Sequence, residues 1–180
     1  MPITAFFYKL GKFTAITNCF VGENVKVEGK DIGAFIGRNY AKKFTLQNCY
    51  SLATVYGNEQ SYYGLAGQFY QTTATMKNCY NANGPLTSFN NGNYSTWFKF
   101  YNSYETEASG DATYDDAHNI KTNVYQITAD NMQGLDVFTH ESKMMFLALD
   151  TSGAATTTYT ATETYPMLTS FVKTEQGEED

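Results

Sequence analysis

The sequence predicts an all-β chain built as a solenoid of about three 30-residue rungs with a C-terminal cap. The triplet Asn-Cys-aromatic occurs at Asn18-Cys19-Phe20, Asn48-Cys49-Tyr50 and Asn78-Cys79-Tyr80, a constant 30-residue interval without slippage. Flanking positions agree at the same offset: Ile16 with Leu46 and Met76, Ala15 with Thr45 and Thr75, Phe35 with Leu65, Gly37 with Gly67, and Tyr40 with Tyr70 and Phe100. A fixed period of roughly 20 to 50 residues marks a stacked repeat and outranks local propensity. Composition agrees, with 15 Tyr, 13 Phe and only 3 Pro. Aromatic and β-branched residues suit pleated, half-buried surfaces, while Asn and Gly punctuate turns.

Taken in order, residues 1–104 read as the repeat array and 105–180 as a loop and capping region with an acidic tail. The first matching strand is Phe13 to Phe20, followed by a partly alternating second strand in Val21 to Lys30. The opening from Met1 to Lys9 lacks the basic segment of a signal peptide, and its apolar run breaks at Lys9. A fragment whose upstream repeats and export signal lie outside this sequence is therefore expected; a short cytoplasmic protein beginning at Met1 is the alternative. In the second unit, Gly33 and Gly37 bracket a short apolar run and Gly57 to Gln60 form the turn. The third unit ends at Tyr80, and Asn81 to Pro85 is a loop signal. A shortened echo follows at Phe98 to Tyr104, where Ser103 takes the cysteine place at a 24-residue spacing from Cys79. Terminal units of a repeat array are expected to be atypical because they close an exposed end. Beyond an acidic loop at Glu105 to Asn119, Val124 to Ile127 reads as a short strand. Thr128 to Met132 reads as a one-turn helix capped by Thr128 and ended by Gly134. Met144 to Leu149 is an apolar strand or short helix; Thr156 to Thr164 and Tyr165-Pro166-Met167-Leu168 complete the cap.

Gly64-Leu65-Ala66-Gly67 followed by Met76-Lys77-Asn78-Cys79-Tyr80 resembles the GLUG repeat of bacterial surface and secreted proteins. Ala34-Phe35-Ile36-Gly37 with Asn48-Cys49-Tyr50 is a second copy, and Asn18-Cys19-Phe20 is half of a third. The resemblance covers roughly half the chain well. It implies a right-handed parallel β-solenoid (β-helix) in an adhesin-like protein at the cell surface or outside the cell. Some members carry a separate metallopeptidase domain, nothing of which is visible here, so no catalytic residue carries over. In such a stack Ile16, Leu46 and Met76 form one buried ladder, and the amides of Asn18, Asn48 and Asn78 bond from rung to rung, each neighbour pair contributing on the order of 0.2–1 kcal/mol.

The chemistry-bearing residues are sparse. Three cysteines occupy one repeat position. Parallel strands lie about 4.8 Å apart, but equivalent Cβ atoms point the same way, too far apart for the usual disulfide contact of about 3.8 Å. They are expected to form an unbridged internal ladder. A cysteine metal site is the alternative, and it needs a tetrahedral convergence that a ladder does not supply. His118 and His140 sit in no His-Glu-x-x-His or nucleophile motif and read as loop residues. Asp111, Asp115 and Asp116 match no calcium loop and read as solvated, with calcium as the alternative. Gly33, Gly37, Gly64 and Gly67 read as turn glycines. A net charge of −6, with Lys42-Lys43 the only adjacent basic pair, argues against nucleic acid, and no apolar run is long enough for membrane insertion. Tyr62-Tyr63, Phe69-Tyr70, Trp97 and Tyr101 form either a stacking face for sugar rings or a partner, or internal ladders. No catalytic, cofactor or metal site is assigned. The expected function is a non-catalytic structural or adhesive module that presents loops to a host or bacterial surface protein or glycan. A carbohydrate-binding or carbohydrate-processing β-helix is the alternative. An exposed end at residues 1–15 favours pairing with another chain, so self-association is expected.

Overall fold

The computed structural model describes residues 13–57, 63–70, 72–87, 97–106, 120–133, 159–160 and 162–171. The strands are β1 Phe13–Val21, β2 Lys26–Gly29, β3 Ile36–Asn39, β4 Lys43–Ser51, β5 Thr54–Gly57, β6 Ala66–Phe69, β7 Thr73–Asn81, β8 Trp97–Glu105, β9 Ile120–Gln126, β10 Tyr159–Thr160 and β11 Met167–Leu168. The fold is all-β, and no α-helix occurs among the described residues. A five-stranded parallel sheet runs in the order β1-β4-β7-β8-β9. Two smaller parallel pairs, β2 with β5 and β3 with β6, accompany it, and β10 pairs antiparallel with β11.

The 30-residue sequence offset is the register of β1, β4 and β7 in the main sheet. Ile16 opposes Leu46 and Leu46 opposes Met76; Cys19 opposes Cys49 and Cys49 opposes Cys79. At the centre of each long strand sits an asparagine in the left-handed region: Asn18, Asn48, Asn78 and Asn102 have φ of 54°, 52°, 52° and 46°. Most L-residues resist that conformation by about 1–2 kcal/mol, and Asn is one of the few that visit it routinely. The kink breaks the two-residue alternation of a strand. Leu46 and Cys49, three positions apart, therefore join the same apolar cluster, while Tyr50 joins a second one. The amides then stack as expected: Asn48 Nδ2 donates to Asn18 Oδ1 and Asn78 Nδ2 to Asn48 Oδ1, both at 3.0 Å.

The first cluster gathers Phe44, Leu46, Met76, Phe69, Phe98 and Phe100, all buried. The second is a tyrosine ladder closed by the cap. Phe20 stacks on Tyr50 at 5.2 Å and Tyr50 on Tyr80 at 4.9 Å, and Tyr104 stacks on Tyr125 at 5.6 Å. Tyr159 of β10 covers this ladder and donates its hydroxyl to the Asn78 carbonyl at 2.8 Å. The Tyr80 hydroxyl in turn donates to the Pro166 carbonyl.

Several expectations are corrected. Phe100 opposes Met76, so it does not continue the Tyr40–Tyr70 line. The fourth unit has a 24-residue offset, from Cys79 to Ser103, and the shorter connection shifts everything aligned on the longer period. The strand expected at Val124 to Ile127 is β9, which begins earlier, at Ile120, and is the fifth strand of the main sheet, with Val124 opposite Ser103 and Tyr125 opposite Tyr104. In Val21 to Lys30 only Lys26–Gly29 is a strand of its own. Gly37 and Gly67 lie inside β3 and β6 rather than in turns. A Cβ on Gly67 would stand 2.4 Å from the Gly37 carbonyl oxygen and 2.7 Å from that of Ile32, so glycine is required by close backbone approach. The expected one-turn helix is a 3-10 turn at Asp130–Met132, with Thr128 Oγ1 accepting from the Asn131 amide at 3.3 Å. Gly134, Met144 to Leu149 and the acidic tail lie outside the described residues.

Two outcomes follow from this packing. Replacing Asn48 by alanine combines the left-handed strain of about 1–2 kcal/mol with loss of amide bonds of about 1 kcal/mol. Glycine avoids the strain but adds about 0.5–1 kcal/mol of unfolded-chain entropy. Urea unfolding is expected to show a loss of about 2–3 kcal/mol for Asn48→Ala and about 1–2 kcal/mol for Asn48→Gly; equal losses contradict the kink. The second outcome concerns alkali. Burial pushes the Tyr50 phenol up to about 12 and holds Tyr80 and Tyr159 well above the usual range. An unfolded tyrosine releases its proton near about pH 10, so above that pH the unfolded state gains relative to the folded one. The buried Cys49 and Cys79 thiols act in the same direction from lower pH, because an unfolded thiol releases its proton at about pH 8.5. Stability is expected to fall gradually above about pH 8.5 and more steeply from about pH 10 toward 12, with phenolate absorbance appearing together with unfolding. Ionisation of these phenols in a still-folded chain near pH 10 contradicts the burial.

Candidate functional site

Two exposed surfaces are built by the way the stack ends. The first is β1. Its inner edge pairs with β4, and among the described residues no strand pairs with its outer edge. Among the described residues, each ladder of the sheet is therefore uncovered at β1. Ile16 is half-buried where Leu46 and Met76 are fully buried. Phe20 is 45% exposed where Tyr50 and Tyr80 are buried. Asn18 accepts from Asn48 through Oδ1, and its own amide N–H groups have no partner among the described residues. Ile16, Cys19, Phe20, Phe35 and Phe171 line an apolar groove of about 590 Å³ along this edge. Phe171, from the 3-10 turn Thr169–Phe171, leans on Phe20 with ring centroids 5.4 Å apart.

The second surface lies at the end of β3 and β6. Tyr40 stacks face to face on Tyr70, with ring centroids 4.8 Å apart and planes 2° apart. Tyr40 remains 49% exposed. Two residues before it, Arg38 donates through Nε to Asp31 Oδ2 at 3.0 Å, with Nη2 joining the same carboxylate oxygen. Asp31 is 5% exposed, has φ of 55°, and keeps Oδ1 buried without a hydrogen-bond partner among the described residues. Gln68, opposite Arg38 in register, likewise keeps a buried Oε1 without one. A flat aromatic face beside a fixed guanidinium is suited to stacking and to planar hydrogen bonding. Asp31 and Arg38 carry no signal in the sequence, because their pairing depends on a left-handed residue at a position other than the repeated asparagine.

The residues singled out by sequence separate. Phe69 is fully buried, Tyr63 packs against the core, and Tyr70 and Tyr101 are half-buried. Trp97 begins β8, with its side chain outside the described residues, as are Tyr62, His118, His140, Asp111, Asp115 and Asp116. Against the two expected arrangements, a stacking face or internal ladders, the described members of this set are buried or half-buried, and none is fully exposed. Lys43 begins β4 directly after Lys42. Among the described residues no group of three or more His, Cys, Asp or Glu is placed to hold a metal, and no helix is long and apolar enough to cross a membrane.

All three cysteines are free thiols. Cys49 and Cys79 are internal, but Cys19, expected inside the ladder, is exposed, since no strand lies beyond β1 among the described residues. Burial pushes the Cys49 thiol up to about 12, and Cys79 is also raised by burial, with the neighbouring Cys49 adding to it. The buried thiols donate instead to carbonyls two residues back, Cys49 to Gln47 at 3.1 Å and Cys79 to Lys77 at 3.3 Å. Neither buried sulfur is placed to act as a nucleophile, since the thiolate is the reactive form.

Comparison with known protein families, curated proteins and solved structures found no match for this chain. Its function is therefore read from geometry. Thiol titration of the native chain with a maleimide at pH 8 is expected to label Cys19 quickly and to leave Cys49 and Cys79 unlabelled until unfolding. Rapid reaction of all three contradicts the buried ladder.

Proposed function

We propose that the chain is a right-handed parallel β-solenoid of the GLUG-repeat kind, serving as a non-catalytic structural or adhesive module of a bacterial surface or secreted protein. The observation that carries this reading is the in-register stacking of three 30-residue units, with Asn18, Asn48 and Asn78 linked amide to amide. Such a stack is stiff along its axis because every rung is bonded to its neighbours by both backbone and side chain. It holds the connections between strands at fixed intervals, where they can meet a partner protein at a cell surface. Several buried polar groups are spent on structure: Asn39 and Thr72 bond to each other, and Glu105 accepts from the Leu86 amide at 2.9 Å. A second reading, a carbohydrate-binding or carbohydrate-processing β-helix, is favoured by the exposed Tyr40 face beside Arg38.

A paired screen of the chain against immobilised surface proteins and a glycan array separates the two. The module reading expects retention on a protein that free sugars do not compete away, with no release of product. Glycan binding lost in Tyr40→Ala, with the fold intact by circular dichroism, supports the second reading and overturns the first.

A further inference from the structure

We infer that the cavity between the β1–β2 connection and the cap is a lysine pocket, which takes the ammonium group of a lysine side chain presented by a partner protein. This names a contact chemistry for the surface-module reading and rests on it. The cavity has a volume of about 350 Å³ and is walled by the β1–β2 connection, the end of β4 and the cap. That volume lies at the small end of the range for ligand pockets, about 300–1,000 Å³. The tyrosine ladder creates the space. Phe20, Tyr50 and Tyr80 occupy one register line of parallel strands, and the Tyr50 and Tyr80 rings lie 9° from parallel. Their hydroxyls therefore project toward the same side, that of the cap, where Tyr80 finds the Pro166 carbonyl. Tyr50, one rung earlier, is 1% exposed and lines the cavity, and its hydroxyl has no hydrogen-bond partner among the described residues. Phe20, one rung earlier again, has no hydroxyl to fill the gap. A buried phenol usually finds a partner, so Tyr50 leaves a polar atom unused on the cavity wall.

The rest of the wall suits a cation on an alkyl stem. Glu23 and Asn24, both exposed at the rim, add side-chain oxygens, while Val25, Leu52 and Met167 offer apolar surface. No lysine, arginine or histidine stands among the described residues of the wall. Burial raises the Tyr165 phenol above its usual range, and the negative charges of Asp130 and Glu23 push the same way, so the potential at this wall is negative. An ammonium carries three N–H donors on a flexible stem. Long cationic side chains bury such a stem against apolar surface and keep the head among polar groups. A guanidinium gains from stacking on an aromatic face, but Tyr50 has Phe20 stacked on one side and Tyr80 on the other. Tyr50 thus presents its oxygen rather than a ring face, which favours lysine over arginine.

The test is a nuclear magnetic resonance titration of the full 180-residue chain with Nα-acetyl-lysine amide, read at the Met167 methyl and the Tyr165 ring. The norleucine and arginine amides serve as controls. Saturable shifts at both residues are expected for the lysine amide, with a Kd on the order of millimolar for so small a contact and at least about threefold tighter than either control. Glu23→Gln is expected to weaken lysine-amide binding by about threefold. Glu28→Gln, the same charge change at an exposed position of β2 away from the wall, is expected to leave it unchanged. No saturable shift, equal binding of the norleucine amide, preference for the arginine amide, or indifference to Glu23→Gln overturns the inference. The comparison of amides is made on the unaltered chain, so it decides the matter even if a variant fails to fold. A surface protein retained by the chain is expected to be released by the lysine amide and to lose its binding when its lysines are acetylated. Retention indifferent to both overturns the lysine pocket and leaves the module reading standing. Lysine-amide binding with no surface protein retained sinks the module reading, and with it the partner as the source of the lysine, while the cavity stands as an ammonium site.

Discussion

The structure depends on one backbone constraint, the left-handed residue in the middle of each long strand. A regular strand sends positions i and i+3 to opposite faces. With Asn48 at φ of 52°, Leu46 and Cys49 share one cluster, and Tyr50 is released to another. Each kinked strand fits only a neighbour kinked at the same place, and this fixes register more tightly than hydrophobic alternation alone. The side chain that tolerates the kink also bonds to the next rung, so one residue type satisfies both the local and the long-range requirement.

Two apolar clusters follow from this, with different partners. The aliphatic and phenylalanine cluster is filled by the repeats themselves. The tyrosine cluster needs the cap, because Tyr50, Tyr80 and Tyr104 are covered in company with Met132, Tyr159 and Leu168. Buried phenols usually take hydroxyl partners, and the cap supplies or reaches them: Tyr80 bonds to the Pro166 carbonyl and Tyr159 to that of Asn78. The cap thus lies along the ladder and joins units far apart in sequence.

Much of this architecture is legible in the sequence because the 30-residue translation carries like side chains into contact. The strands β1, β4 and β7, the asparagine ladder and the small thiols beside it can be read from spacing alone. Legibility fails where the spacing changes. A shortened unit misaligns Phe100, and β9 is hard to recognise as a rung because its triplet is reduced to Asn123-Val124-Tyr125. The glycines read as turn residues because a sequence does not reveal that another backbone passes within reach of Gly67. The surfaces are harder still. Exposure of Tyr40 and Phe20 depends on what lies over them, which spacing does not reveal, and the Asp31–Arg38 pair is not repeated in the sequence, where Ser61 and Gln68 stand at the same offset.

The most direct measurement of the central claim is the pattern of nuclear Overhauser contacts between backbone protons of β1, β4 and β7 in solution. Parallel, in-register stacking predicts amide-to-α contacts that follow the 30-residue offset, such as Leu46 with the neighbourhoods of Ile16 and Met76. It also predicts no close α-to-α pairs between these strands. Strong α-to-α contacts, which belong to antiparallel neighbours, or links displaced from that offset, would contradict it.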